Sequence, residues 1–238
     1  MDLTNSTANT KPSYILFDVY ETLINMSEIE RKVNDLLGSK RGYIIWFNLF
    51  MEYCFVDTCI DQFNDFTSIA RATMQMAGKM LGKNIDIYDI DRTLERLKHL
   101  PVHGDVQEGL SMLNDDGLYI AALTNSAEAT VSERMERTGL VSYFRKVLSA
   151  EHIRKYKPDL KVYQWAAAQI NAHPSEIILV SSHSWDLAGA ANAGMKTAYL
   201  KRTEKMAYPL ATAPDYMATS LVELATQISP NIQRFSMM

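Results

Sequence analysis

The spacing of hydrophobic positions changes once along the chain, near Pro101. Between Ser27 and Leu100, apolar residues recur three and four positions apart, which predicts helices with no strand among them. After Pro101, short apolar runs alternate with helical segments. The predicted helices of this second part lie at 106–115, 127–138, 159–170 and 185–193. The predicted strands lie at 13–17, 118–124, 146–149, 177–181 and 196–200.

Strands that alternate with helices are typical of a parallel sheet covered by helices on both faces. The first strand, 13–17, is separated from the others by the helical block. The pattern therefore predicts an α/β fold, a Rossmann-like doubly wound parallel sheet formed by residues 12–26 and 101–230. An all-helical cap is inserted at 27–100, and residues 1–11 are polar enough to predict a disordered tail.

Composition and charge limit the classes of partner that the protein is expected to bind. The chain is 47% hydrophobic with a formal net charge of −4, so it has no field that would gather nucleic acid or anionic lipid. Its start lacks the apolar core of a signal peptide. The most apolar stretch, 43–56, contains Asn48 and Glu52 and is shorter than the ~18 apolar residues of a membrane span. We therefore expect no nucleic-acid partner, no membrane contact and a cytoplasmic location.

The same stretch carries more large side chains than one helix face can hold. A helix with an outer as well as an inner apolar stripe suits a substrate pocket on one side and a homodimer contact on the other. Two cysteines, Cys54 and Cys59, fit neither a CxxC pair nor a metal-ligand set, and we expect buried free thiols in a reducing compartment.

Polar residues follow the predicted strands at several points. In an open parallel sheet, ligands bind beyond the carboxyl ends of the strands, so these segments are expected to converge. An aspartate at a strand end is usually only a turn or cap residue. The evidence for a site is therefore the order and spacing of all four polar segments together. The segments are 18–22 (DVYET), 124–126 (TNS), 157–159 (KPD) and 181–186 (SSHSWD).

The motifs FDVYETL, LTNS, YKPD and VSSHSWD, in this order, resemble the haloacid dehalogenase superfamily, and within it the L-2-haloacid dehalogenases. The resemblance covers residues 13 to 228. Phosphatases of the superfamily have an aspartate two residues after the nucleophile, where this chain has Tyr20, as dehalogenases do. Ser182 replaces one member of the acidic pair of the magnesium site, and only Asp186 remains. Because Mg²⁺ needs hard oxygen ligands, the resemblance implies no metal and no cofactor.

The resemblance also implies a reaction. Asp18 attacks the halogen-bearing carbon of a small halogenated carboxylic acid and forms an ester with inversion, which water then hydrolyses. Lys157 keeps Asp18 ionised. Positions that hold the substrate or the nucleophile are matched by Thr22, Thr124, Asn125 and Ser181, and further active-site positions by Tyr163 and Asp186. For Tyr163, packing in the core remains an alternative.

Other expectations concern the pocket and the helix caps. The pocket is expected to be lined by Tyr20, Phe47, Asn48, Phe66 and Trp185. Three serines, Ser27, Ser126 and Ser184, are expected to cap the helices that they precede.

Three residues depart from the family pattern. The family has an arginine after the cap tryptophan that helps to draw off the halide, but Phe47 follows Trp46 here. Glu21 and His183 stand where the family has glycine and asparagine. Together they predict a general base beside the ester, since a carboxylate stabilises the imidazolium. Alternatively His183 only donates a hydrogen bond while Glu21 faces solvent, and Asp186 is the base.

The function expected from the resemblance is hydrolytic dehalogenation of short L-2-haloacids. A phosphatase acting on a small phosphomonoester is one alternative, disfavoured by Tyr20 and Ser182. A non-catalytic ligand-binding protein is the other, disfavoured by the retention of Asp18, Lys157 and Asp186. A further expectation concerns Glu21, which would be strained if its turn needs a positive φ.

Overall fold

The computed structural model describes residues 13–202 and 206–229, so the tail predicted at 1–11 lies outside the described residues. Its sheet contains six parallel strands in the order β3-β2-β1-β4-β5-β6. This arrangement confirms the predicted α/β fold with a doubly wound parallel sheet. The strands are β1 (Tyr14–Phe17), β2 (Tyr119–Thr124), β3 (Lys146–Ser149), β4 (Ile177–Ser181), β5 (Lys196–Leu200) and β6 (Tyr216–Ala218).

Helices fill the chain between β1 and β2, as the three- and four-residue spacing predicts. The first four are α1 (Ser27–Leu37), α2 (Gly42–Cys59), α3 (Phe66–Met80) and α4 (Ile87–Glu95), and a 3₁₀ turn follows at Arg96–His99. Helix α5 (Val106–Asp115) leads into β2. The remaining helices are α6 (Glu128–Arg137), α7 (Leu160–Gln169), α8 (Ser184–Asn192) and α9 (Leu221–Ile228). No helix of the described residues is long and apolar enough to cross a membrane.

The central strand β1 shows why the sheet is covered on both faces. Successive side chains of a strand point to opposite faces, so Ile15 and Phe17 lie on one face and Leu16 on the other. Ile15 and Phe17 belong to the cluster that continues into the inserted helices through Trp46. Leu16 packs with the apolar residues of α7, Tyr163 among them. Both faces of β1 are therefore core, and the strand leads directly into the buried polar residue Asp18 at its carboxyl end.

Helix α2 is apolar on more than its inner side. Trp46 is buried and donates from Nε1 to the Ala70 carbonyl of α3 at 3.0 Å. Ile44 and Val56 on the same helix are exposed. An inner and an outer apolar stripe are both present, as the composition of this stretch predicts.

Several local expectations are wrong. The sequence pattern did not predict strand β6, which has only three residues and exposes Met217. It also did not predict helix α9, which follows β6. Ser126 caps no helix, since Ala127 is the residue before α6. Ser184 is the first residue of α8 and Ser27 the first of α1, so neither is a cap.

The two cysteines lie in different environments. Cys54 is buried, and burial is the main reason that the pKa of its thiol is raised. Cys59 is exposed, at the end of α2, which corrects the expectation that both thiols are buried.

Candidate active site

Asp18 lies directly beyond β1, between the ends of the neighbouring strands β2 and β4. Its backbone N–H donates to the Val180 carbonyl at 3.0 Å, which continues the β1–β4 pairing to the aspartate itself. The residue is only 6% exposed. The ammonium of Lys157 donates to Asp18 Oδ1 at 2.8 Å, to Asp186 Oδ2 at 2.8 Å and to the Leu123 carbonyl at 3.0 Å. The prediction that the polar strand ends converge is confirmed.

The charges of this cluster set the pKa values of its members. Burial by itself would raise the pKa of Asp18, but the charges of Lys157 and His183 and hydrogen bonds from Lys157 and Thr22 hold it below the usual value. Burial would lower the pKa of Lys157, but the charges of Asp18 and Asp186 raise it. Asp18 is therefore a carboxylate and Lys157 an ammonium at neutral pH.

Thr22 fixes the second oxygen of Asp18. Its hydroxyl donates to Asp18 Oδ2 at 2.7 Å and accepts from the Ser182 backbone N–H at 3.0 Å. The loop after β1 is thereby tied to the loop after β4. Both oxygens of the candidate nucleophile have a donor, so its orientation is set before any ligand binds.

Asp186 is held on both oxygens as well. Lys157 donates to Oδ2, and the Tyr163 hydroxyl donates to Oδ1 at 2.7 Å. Burial and the Asp186 charge raise the pKa of Tyr163 well above its usual value, so its phenol keeps its proton. Tyr163 is fully buried, yet it is bonded to the polar cluster in addition to packing in the core.

The side chains of three further expected site residues accept hydrogen bonds from backbone N–H groups. Asn125 Oδ1 accepts from the Lys157 backbone N–H at 2.8 Å, Ser181 Oγ accepts from the His183 N–H at 3.1 Å, and Thr124 Oγ1 accepts from the Ser126 N–H at 3.1 Å. All three are buried at strand ends. In this structure their hydrogen-bonded contacts position the loops that carry Lys157 and His183.

The residues present do not fit the magnesium site of the phosphatases. Position 20 offers a phenol and position 182 a hydroxyl, and the carboxylate oxygens of Asp18 and Asp186 already accept from Lys157, Thr22 and Tyr163. Within the part of the chain that the structure describes, no group of three or more histidine, cysteine, aspartate or glutamate side chains is arranged to hold a metal ion.

Glu21 and His183 form the predicted pair. His183 Nε2 lies 3.4 Å from Glu21 Oε2 and 3.7 Å from Asp18 Oδ2. The Tyr20 carbonyl oxygen is 3.3 Å from the same nitrogen. Glu21 is buried, so the alternative in which it faces solvent is wrong. Its φ of 63° confirms that the turn needs the left-handed conformation.

Two side chains of helix α2 contact the Glu21–His183 pair, which the sequence pattern did not predict. The Tyr43 hydroxyl donates to Glu21 Oε1 at 2.9 Å, and burial together with the Glu21 charge raises the pKa of Tyr43. The Phe47 ring stacks on the His183 ring, with centroids 5.9 Å apart. Trp185 also stacks on His183, at 5.0 Å. Residues four apart share a helix face, so the sequence places Tyr43 and Phe47 on one face of α2 but does not specify what that face contacts.

The five expected pocket residues do not line one pocket. Tyr20, Phe47 and Phe66 line a cavity of about 180 Å³ whose other walls include Trp46, Phe50 and Ser126. Asn48 and Trp185 lie in a separate groove of about 660 Å³ with Glu21 and His183. The expectation of a single pocket is wrong because the Phe47 ring stands between the two spaces and lines both.

The sequence is similar to those of known hydrolases. The sequence model of the haloacid dehalogenase-like hydrolases matches residues 15–200. The (S)-2-haloacid dehalogenase of Pseudomonas sp. (strain YL) is 25% identical over 209 residues, which cover 87% of this chain and 90% of that protein. The (S)-2-haloacid dehalogenase 4A of Burkholderia cepacia is 28% identical over 189 residues, 79% of this chain and 82% of that protein.

Among solved structures, the L-2-haloacid dehalogenase from Xanthobacter autotrophicus with chloropropionic acid covalently bound has the same fold. It matches with a TM-score of 0.82 and 22% identity, and the match covers 91% of this chain and 98% of that one. The family match, which spans most of the chain, includes the strand that leads to Asp18 as well as Lys157 and Asp186. The chain therefore belongs to the haloacid dehalogenase-like hydrolase family.

Proposed function

We propose that the protein hydrolyses short L-2-haloacids to 2-hydroxy acids. The observation that carries the proposal is the buried, ionised Asp18 carboxylate, held on both oxygens, with the Tyr20 phenol where a phosphatase has a second aspartate. A halide leaves without a proton, so no acid is needed at position 20. An aromatic cavity lined by Tyr20, Phe47 and Phe66 suits a small halogenated alkyl group. The relatives named (S)-2-haloacid dehalogenase support the substrate class.

In the first step, an oxygen of Asp18 attacks the halogen-bearing carbon from the side opposite the halogen. A carbon–oxygen bond forms, the carbon–halogen bond breaks, and the halide leaves with the bonding electrons, so the carbon is inverted. Lys157 and Thr22 hold the carboxylate in place during the attack. Because both are already bonded to it, little reorganisation precedes the reaction.

In the second step, water attacks the ester carbonyl of Asp18. We assign the proton of this water to the Glu21–His183 pair. We treat the two side chains as one base because a Glu21 carboxylate oxygen lies 3.4 Å from His183 Nε2. The water oxygen bonds to the carbonyl carbon of Asp18, and the bond between that carbon and the ester oxygen breaks. The alkoxide of the hydroxy acid takes the proton that the pair removed. The second proton of the water passes from the new carboxyl group to solvent, so Asp18 is restored as a carboxylate. Asp186 is less suited to this role, since Lys157 and Tyr163 donate to its two oxygens and it is fully buried.

The reaction class is tested by halide release from bromoacetate and 2-chloropropionate in EDTA, alongside phosphate release from small phosphomonoesters with Mg²⁺. We expect halide release that survives chelation and no phosphate release. Halide release that needs Mg²⁺ would return the protein to the metal-dependent branch. The absence of both activities would favour the non-catalytic alternative.

The base is tested by separating the two steps. His183→Ala and Glu21→Gln should still release about one halide per active site in a burst, while steady turnover falls by an amount on the order of 10²–10⁴, the usual contribution of a positioned base. The ester on Asp18 should then appear as added mass on the intact protein. If His183→Ala turns over normally and Asp186→Asn accumulates the ester, Asp186 is the base.

We further propose that residues 27–100 act as a cap domain over a core formed by 12–26 and 101–230, and that two copies pair through the cap. The exposed apolar residues Ile44, Val56 and Ile60, on α2 and directly after it, support the pairing. Sedimentation should give a dimer for the wild type and a monomer for Val56→Glu. A wild-type monomer would overturn the pairing.

The proposed location is the cytoplasm. The exposed free thiol of Cys59 supports a reducing compartment, where such a group persists.

A further inference from the structure

Arg134, on α6, is a buried charge that the site described above does not use. The residue is 1% exposed. Its three guanidinium nitrogens Nε, Nη1 and Nη2 are all buried and have no hydrogen-bond partner among the described residues. Burying a charge is costly unless it is paired, and buried polar groups without a protein partner usually meet a water, an ion or a ligand. The position therefore calls for a partner that the protein itself does not supply.

The guanidinium lies against the wall of the aromatic cavity. Arg134 Cζ is 5.2 Å from the centroid of the Tyr20 ring, whose face attracts cations. The Tyr20 side chain also lines the cavity, together with Thr130, one turn before Arg134 on the same helix. One aromatic ring thus contacts both the unpaired cation and the space proposed for the substrate.

The other cations around the cavity are already neutralised. Arg71 pairs with Asp91, and both residues line the cavity. Lys98 pairs with Glu95 at 2.7 Å, again with both residues in the lining. Among the described residues, no ion pair or hydrogen bond involves the Arg134 side chain.

We propose that Arg134 is the anion-binding residue of this cavity. A small monovalent anion would be held at the Tyr20 wall, with the guanidinium exchanging the ring face for the anion. On the proposed function, on which this assignment rests, the anion is the departing halide or the carboxylate group of the acid. The positive charge that Phe47 cannot supply from the cap would then come from α6 in the core.

Chloride binding tests the assignment without any turnover. The probe is the line width of the ³⁵Cl NMR signal, which broadens when chloride exchanges with a protein site. We expect broadening with the wild type, and at least about a tenfold loss of chloride affinity in Arg134→Met, because a charge-assisted contact is removed. Arg137→Met is the matched control: Arg137 lies on the same helix, is exposed and pairs with Glu133. It should broaden the signal as the wild type does.

Competition distinguishes the two sources of the anion. If acetate and bromide both narrow the chloride signal, halide and carboxylate share the site. If only bromide does so, the site is one for the halide. Arg134→Lys keeps the charge and should retain part of the binding.

Wild-type broadening in a folded Arg134→Met protein, or no specific broadening in the wild type, would overturn the proposal. Methionine in place of an unpaired buried charge is compatible with folding. Should that variant not fold, Arg134→Gln gives the same comparison with an uncharged polar side chain. The outcome is separate from the proposed function. A protein that binds chloride through Arg134 but releases no halide from haloacids would refute the dehalogenase proposal alone.

Discussion

Replacing Lys157 by methionine should destabilise the protein strongly at neutral pH. The Lys157 side chain is 1% exposed, and its ammonium lies 2.8 Å from carboxylate oxygens of both Asp18 and Asp186, whose side chains are 8% and 0% exposed. Methionine fills a similar volume but leaves two buried carboxylates without their shared counter-charge. Removing one partner of a buried ion pair costs about 3–5 kcal/mol, because the remaining charge is uncompensated.

Urea unfolding measures this loss directly. With a slope of about 3 kcal/mol per molar urea, a loss of about 4 kcal/mol lowers the unfolding midpoint by about 1.3 M. Lys98→Met is the matched control, since Lys98 makes an ion pair of similar length, 2.7 Å, with Glu95 on the surface. Solvent screens such a pair, so its loss should leave the midpoint within the error of the measurement.

The destabilisation by Lys157→Met should depend on pH, and the direction of this dependence follows from the pKa of Asp18. In the wild type the pKa of Asp18 is lowered, so its contribution to stability is present above the unfolded-state pKa and is lost as pH falls through the folded-state value. In Lys157→Met burial remains and the attraction is gone, so the folded protein should bind a proton more readily than the unfolded chain. The destabilisation should therefore shrink between pH 7.5 and about pH 5. A variant as stable as the wild type, or a difference that grows on acidification, would refute the reasoning.

Two further predictions concern the packing and the ionisation of the site. A Cβ at Gly189 would lie 2.6 Å from the buried Tyr163 ring and hydroxyl, so Gly189→Ala should cost about 1–3 kcal/mol in urea unfolding, whereas Gly104→Ala, with open space around it, should not destabilise. Because Lys157 holds the pKa of Asp18 below its usual value, the rate of the halide burst should not decline as the pH falls from 8 through about 4, the ordinary pKa of an aspartate, in rapid-quench experiments. A burst that declines in step with an ordinary carboxyl or imidazole titration would contradict this.

Strands β1 to β5 could be predicted because each is a short, mainly apolar run that alternates with helical segments along the chain. The run 177–181, for example, is fully buried as β4. The strand β6 escaped prediction since it has three residues, one of them the exposed Met217, and is defined by its pairing with β5. The helix starts at Ser27 and Ser184 were misjudged because the choice of the capping residue depends on backbone angles that the sequence pattern does not specify.

The candidate site was predictable where one strand end meets another. Asp18, Lys157 and Asp186 converge because the carboxyl ends of parallel strands share one edge of the sheet. The contact from Tyr43 to Glu21 and the unpaired Arg134 depend on how helices pack against that edge, which no single segment encodes.

The ester on Asp18 is the central claim, and isotope labelling tests it most directly. Enzyme in excess over L-2-chloropropionate is allowed one turnover in ¹⁸O-water, and the peptide that contains Asp18 is weighed by mass spectrometry. Because water attacks the carbonyl of the ester, the label should enter the Asp18 carboxylate, and the hydroxyl of the product should carry the unlabelled oxygen. An unlabelled Asp18 with the label in the 2-hydroxy acid would mean direct attack by water on the halogen-bearing carbon, and the covalent route would be wrong.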